Sequence, residues 1–339
     1  MDAPILREVC YYSPMRRRDF VFWAGGAAAG WPLAARGQPV RPVIGYLSSK
    51  GPGAEVGIVA AARQGLAQQG FVEGRSLAIE FRWSDGDYGR LVGLAAELVE
   101  RKVDLLMTSG LPATLAARDA TATLPIVFRL AIDPVAFGLA QSLGRPGGNL
   151  TGVTMLFDPL TPKKLQLLHE LVPGSTSVGF LINANNQNAA SHREHAEKAA
   201  RSLGLQLTEV SAGTVPELDA AFAAAKKAGV GTLLVGDDPF FDTSSDALIA
   251  AAARYAIPTM YYVRDFTAAG GLISYGPTFD EMARQAGDTA GRILKGDKPA
   301  NLPIGQPTRI ELVVNRKTAN ALGLAIPSSI LARADEVIE

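Results

Sequence analysis

Six short stretches hold most of the side chains able to do chemistry: LSSKGPG at 47–53, TSGLPA at 108–113, AIDPVA at 131–136, INANNQN at 182–188, GDDPFF at 236–241 and YYVRDF at 261–266. Each follows or ends an apolar run. Together they offer hydroxyl, amide and carboxylate groups from Ser48, Ser49, Ser109, Gly110, Asp133, Asn183, Asn185 and Asp237, with the rings of Phe240, Tyr261 and Tyr275 beside them. Groups of this kind bind a polar solute by hydrogen bonds and stack on its apolar part. Asp133 and Asp238 also read as helix N-caps, because each precedes a proline suited to the first helical position, as does Gly110-Leu111 before Pro112.

Catalytic arrangements find less support. His192 and His195 in SHREH lie three apart without a third ligand at a telling spacing, and read as a solvated helix face. His169 is the only other histidine, and no G-x-S-x-G elbow occurs. The glycines of GVGTLLVG at 229–236 flank a strand instead of opening a helix, which excludes a dinucleotide fingerprint. GRPGGN at 144–149 lacks the Lys-Ser/Thr of a P-loop and reads as a turn. Lys163-Lys164 and Lys226-Lys227 read as solvated helix charges.

The elements that must position these tips alternate regularly. PVIGYLSS, SLAIEFRW, VDLLMTSG, PIVFRLA and NLTGVTM read as strands separated by helices, with Asp87 capping one helix and PVAFGLAQSL forming another. The pattern restarts with SVGFLIN, LQLTEVSA, GTLLVGD, IPTMYYV and GLISYG. A helix then begins at Thr278, with Glu281 completing a capping box, followed by the strand TRIELVVN and the short helix KTANALGL. Strands joined by helices of this length pair in parallel through right-handed crossovers. The fold class is therefore α/β, as two doubly wound parallel-sheet lobes. In such sheets ligands sit outside the carboxyl ends of the strands, so the tips of both lobes converge on one cleft.

Thirty-three basic and 33 acidic residues balance, which offers no basic field for nucleic acid or an anionic membrane. Arg16-Arg17-Arg18, a glycine-rich apolar run from Phe20 to Ala35 and the small residues of Ala35-Arg36-Gly37 have the order of an export signal, and Arg17-Arg18-Asp19-Phe20-Val21 fits a twin-arginine type. Met15 is the expected start. The sole cysteine, Cys10, falls ahead of it, which leaves the exported chain without disulfide, thiolate metal site or catalytic thiol.

Several segments are familiar in combination: MRRRDF…GGAAAGWPLAARGQ, PVIGYLSS, FVEGRSLAIEFRW, IVFRLAIDPVAFGLAQSLGRPGGNLTGVT, KKLQLLHELVP, LLVGDDPFF, AAGGLISYG and LARADEVIE. The chain from Met15 to Glu339 resembles the ABC transporter substrate-binding protein family, which includes tryptophan- and tyrosine-binding members. The resemblance implies a type I periplasmic-binding-protein fold, its lobes joined by three crossings, that delivers a small solute to a permease driven by a separate ATPase. Ser48, Ser49, Asn183, Asn185, Asp237, Phe240 and Tyr275 keep the expected type and position. The usual Gly-Gly before Asp-Pro is here Ala131-Ile132, Gly-Gly-Thr-Pro is Ser109-Gly110-Leu111-Pro112, and Tyr-Glu-Trp-Arg-Glu-Phe is Tyr261 to Phe266. These departures fall at the expected cleft tips, so the resemblance does not by itself fix the ligand.

The expectation is a monomeric periplasmic receptor for an amino acid or a small aromatic or carboxylate compound, with no cofactor or metal, touching the membrane only through its permease. Residues 1–37 are an upstream extension and export signal, 41–156 with 277–306 one lobe, and 157–276 with 307–339 the other. Hinges fall near 155–158, 276–278 and 304–308. An isomerase or lyase of the same shape, using Asp237 and Asp238, is the alternative, weakened because adjacent residues on an extended segment point apart. A sugar-responsive repressor core would need a helix-turn-helix where the export segment stands.

Overall fold

The first apolar run forms β1 (Val43–Ser48), buried from Ile44 onward. A strand buried on both faces suits a parallel sheet covered by helices on each side. The computed structural model describes residues 41–339; the export segment lies outside them. With β2 (Ala78–Trp83), β3 (Leu105–Ser109), β4 (Ile126–Leu130) and β5 (Leu150–Thr154) the first sheet has the order β2-β1-β3-β4-β5, parallel throughout. A second sheet repeats the scheme with β6 (Ser177–Ile182), β7 (Gln206–Ser211), β8 (Thr232–Val235), β9 (Thr259–Tyr261), β10 (Ile273–Pro277), β11 (Ile310–Asn315) and β12 (Glu336–Ile338). Its order is β12-β11-β10-β9-β8-β6-β7, and only β10 and β11 run antiparallel.

Both sheets reverse their winding beside the first strand, between β1 and β3 and between β6 and β8. At such switch points the neighbouring loops part and leave a crevice. The helices α1 (Val56–Gln68), α2 (Leu91–Glu100) and α3 (Leu111–Ala120) flank the first sheet; α4 (Thr161–Leu171), α5 (Ala189–Ser202), α6 (Val215–Lys227), α7 (Pro239–Thr243), α8 (Ser245–Arg254) and α9 (Arg264–Ala268) belong with the second. After β10 the chain returns to the first lobe as α10 (Phe279–Leu294) before crossing again to β11. Small residues let α10 lie directly on α1: a Cβ on Gly65 would stand 2.0 Å from Arg284 O, and one on Gly287 2.0 Å from Ala62 O. The chain thus passes between lobes three times.

Several local expectations change. PVAFGLAQSL is a series of turns, because Gly138 at φ +66° breaks the chain direction four residues after Pro134. Asp133 Oδ1 accepts the Val135 N–H at 2.9 Å and closes a turn instead of capping a helix. Thr278 stands at the N-cap of α10 without a side-chain hydrogen bond, and Glu281 takes Arg284 and Gln285 instead, so the capping box is absent. Asp87 does cap, accepting the Gly89 N–H at 3.0 Å. The antiparallel β10–β11 pair, β12, and the short α12 (Ser328–Leu331) that follows α11 (Arg316–Ala321) have no counterpart in the sequence reading.

Candidate functional site

At the first switch point the serines turn into their own lobe. Ser48 Oγ accepts the Lys50 N–H at 3.0 Å, and Ser49 Oγ accepts the Ala113 N–H at 3.0 Å, serving the start of α3. Ser109 Oγ donates to Glu55 Oε1 at 2.7 Å and accepts from Arg129 Nη2 at 2.5 Å. All three are fully buried and engaged in bonds within their own lobe. Gly110, at φ +90°, does reach the cleft.

Beneath these serines lies a charged network. Glu55 receives Arg129 Nη2 at 2.8 Å, Ser109 at 2.7 Å and the Tyr46 hydroxyl, with Lys50 Nζ at 3.8 Å. Burial pushes the Glu55 carboxyl up, but Arg129 and Lys50 outweigh it and hold it below the ordinary carboxylate range. Lys50 Nζ is also 2.7 Å from Asp242 Oδ2 of the other lobe. The alignment there makes an ion pair and no hydrogen bond, so the buried ammonium has no hydrogen-bond partner among the described residues. It lies 4.3 Å from the centre of the Phe279 ring, and the Arg129 guanidinium 5.0 Å from it.

The second lobe contributes Asp237 and Asp238, side by side with opposite fates. Asp238 caps α7, accepting the Phe240 N–H at 2.9 Å, Asn183 Nδ2 at 3.0 Å, Asn186 Nδ2 at 2.6 Å and, from the first lobe, the Tyr88 hydroxyl at 2.7 Å. Asp237 makes no hydrogen bond to any described residue and lines the cleft. Burial pushes its carboxyl up to about 6, against the pull of His192 and Lys164. The lobes touch directly: besides Tyr88–Asp238 and Lys50–Asp242, Gly51 N–H donates to Thr243 Oγ1 at 3.1 Å. These contacts close the lobes over a small cleft between the two switch points. Leu111, Ala131, Ile132 and Met282 make much of its wall apolar.

Of the residues expected at the site, Gly110 and Asp237 line this cavity. Asn183 acts through Asp238, Asn185 is exposed, and Asn186 and Asn188 take the cleft positions instead. Asp133 is exposed in its turn, and Phe240 packs on Gly86 across the lobe contact. Tyr261 faces away, stacked on Phe266 at 5.0 Å, while Tyr262 lines the cleft and donates to Asp242 Oδ1 at 2.7 Å. Neighbouring residues of a strand point to opposite faces, so an error of one residue moves a ring out of the cleft. Tyr275 packs on the core of the second lobe.

His192 and Lys164, read as solvated, are 6 % and 4 % exposed. His192 occupies an apolar stripe of α5 with Ala189, Ala196 and Ala199 at helical spacing, and that stripe was the missed signal. Among the described residues no group of three or more His, Cys, Asp or Glu is arranged to hold a metal ion, and no helix is long and apolar enough to cross a membrane.

The family model described as ABC transporter substrate binding protein matches residues 51–338. A tyrosine-binding protein of Clostridioides difficile is 25% identical over 260 residues, 76% of this chain and 74% of that one. A conserved domain protein from Vibrio cholerae superposes with a TM-score of 0.82 at 26% identity, over 88% of this chain and 99% of its own. An ABC domain solved with L-Trp from Streptococcus pneumoniae gives 0.81 at 25% identity, over 88% and 100%. Two parallel-sheet lobes, three crossings and a cleft between switch points agree with these likenesses, and the chain belongs to the ABC transporter substrate-binding protein family.

Proposed function

We infer that the protein is an extracytoplasmic receptor that closes on one amino-acid-type solute, or a small aromatic or carboxylate compound, and hands it to an ABC permease and its ATPase. The observation that carries this reading is a pair of charged groups without hydrogen bonds among the described residues, facing one cavity: the Lys50 ammonium from the first lobe, in ion-pair contact with Asp242 and Glu55, and the Asp237 carboxylate from the second, in contact with His192. A solute carrying both a carboxylate and an ammonium satisfies the two and ties the lobes together. Buried charges without hydrogen bonds are costly, so a ligand that completes them gains more than its contact area alone supplies. Tyr262 and Phe279 line the same cavity and suit an apolar or aromatic body. The tyrosine- and L-Trp-binding relatives support this class, while Ala131 and Ile132 narrow the wall and favour a different fit.

Binding without turnover accords with the commitment of Ser48, Ser49 and Ser109 to structural bonds. The lobes, 41–156 with 277–306 and 157–276 with 307–339, would rotate about the crossings near 155–158, 276–278 and 304–308. Export through the twin-arginine-like segment would place this monomer in the periplasm. Thermal unfolding against amino acids, aromatic acids, dicarboxylates and sugars tests the reading: a ligand at 100 times its Kd stabilises by about 2.7 kcal/mol. A saturable, product-free shift by an amino acid supports it; a shift only by sugars overturns the solute class.

A further inference from the structure

Asp237 has two faces. One lines the cleft; the other lines a small recess in the second lobe, walled by Phe157, Asp158, Lys164 and His192. His192 Nε2 lies 3.2 Å from Asp237 Oδ1 and 3.7 Å from Asp158 Oδ1, with Asn188 Nδ2 3.2 Å away. Lys164 Nζ stands 4.9 Å from the centre of the Phe157 ring and forms no ion pair within 4.0 Å among the described residues. Nothing in solute capture as described above uses this group, yet all of it backs one carboxylate.

We propose that Lys164, with His192, is a positioning residue that acts from behind Asp237 to keep its carboxylate charged and so available to the ammonium group of a bound solute. The proposal rests on the receptor reading and deepens it. A carboxylate buried beside an apolar wall takes up a proton unless cations stand near it. Lys164 from α4 is such a cation, and His192 from α5, its Nε2 3.2 Å from Asp237 Oδ1, adds to it when protonated. Opposing them are Asp158 at the first crossing, itself in contact with His195, and Asp238 next in sequence. On the cleft side Lys50, Arg129 and Asp242 line the cavity, but Lys50 is paired with Asp242 and Arg129 with Glu55. Burial lowers Lys164 to about 8 while Asp237 and Asp158 hold it up, and Asp237 lies at about 6. Between those values both groups are charged. Below the lower one Asp237 gains a proton and loses its hold on an ammonium group.

The test follows the side-chain carboxyl of Asp237 by carbon-13 NMR, assigned from the signal lost in Asp237→Asn. The midpoint should fall near 6 and rise by about one unit or more in Lys164→Met, the effect of removing a nearby opposite charge. Lys164→Gln makes the same comparison if the methionine variant does not fold. An unchanged midpoint in either variant overturns the proposal. Calorimetry with L-tyrosine from pH 5 to 8 supplies the second arm. Affinity should weaken about tenfold per unit below pH 6, from a higher pH in the variant, as one linked proton requires. The deaminated analogue 3-(4-hydroxyphenyl)propionate should show no such dependence, and a matching dependence overturns the role in ammonium capture. Should L-tyrosine fail to bind while the midpoint moves as stated, the charge-setting role of Lys164 stands, L-tyrosine falls as the solute, and the amino acid found by thermal unfolding replaces it in the same titration.

Discussion

Glu55 offers the sharpest test of how the cleft is built. Its carboxylate is fully buried and is the only one in ion-pair contact with Arg129 among the described residues. Glu55→Gln keeps the shape and an acceptor for Ser109 but leaves two buried cations, Arg129 and Lys50, with Asp242 as the remaining counter-charge. Breaking a buried pair by removing one partner costs about 3–5 kcal/mol. At about 2 °C per kcal/mol for a chain of this size, the melting temperature should fall by about 6–10 °C. Arg129→Met should cost less, about 2–3 kcal/mol, because Lys50 still stands 3.8 Å from Glu55. In the double variant no stranded charge remains at this pair, so its loss should undercut the sum of the singles by about 2 kcal/mol. The pH dependence has a fixed sign. The folded pKa of Glu55 is depressed below its ordinary value of 4.5, so its stabilising contribution is present above 4.5 and lost as pH falls through the folded value. The gap between wild type and Glu55→Gln should hold steady from pH 8 to 5 and close below that. Denaturant and thermal unfolding of the four proteins measure all of this. Additive single and double losses, or a Glu55→Gln loss under about 1 kcal/mol, refute the reasoning.

Three further outcomes follow from the cleft. Tyr88→Phe removes the 2.7 Å bond to Asp238 that joins the lobes; a hydrogen bond to a charged group contributes about 1.5–3 kcal/mol, so the Kd for a saturating solute should rise tenfold or more. Gly110→Ala places a Cβ 3.0 Å from Pro239 of the other lobe at a φ of +90°; solution scattering with saturating solute should show a wider molecule than wild type. Asp237→Asn should abolish capture of an ammonium-bearing solute yet stabilise the ligand-free protein. Because the folded pKa is raised from 3.8 to about 6, the charged form costs stability as pH rises through 6, and the gain in the variant should reach about 2–3 kcal/mol at pH 8 and vanish below pH 4. Unfolding midpoints at the two pH values check the sign.

The alternation of strands and helices was legible because a parallel sheet covered on both faces demands apolar runs, and β1, β3 and β4 are largely such runs, all buried over most of their length. The location of the cleft followed from topology. Which neighbour faces it did not, since Tyr261 and Tyr262, or Asp237 and Asp238, differ only by the phase of a two-residue repeat. Asp133-Pro134 and Asp238-Pro239 are the same dipeptide, yet the first closes a turn ahead of Gly138 and the second opens a helix held by Asn183, Asn186 and Tyr88. That difference depends on residues more than 50 positions away in sequence. The charged residues carried a signal that short-range reading discounts. Arg129 interrupts the fully buried strand IVFRL, and His192 and Lys164 interrupt the buried faces of α5 and α4. A charge set in an apolar stripe must meet a partner inside the protein. Two such chains end at the cleft: Glu55–Arg129–Lys50 from the first lobe and Asp158–His192–Asp237, with Lys164, from the second. The neutral tips of the strands therefore shape and join the lobes, and the charges that the apolar pattern should have made conspicuous are the groups the proposed solute would meet.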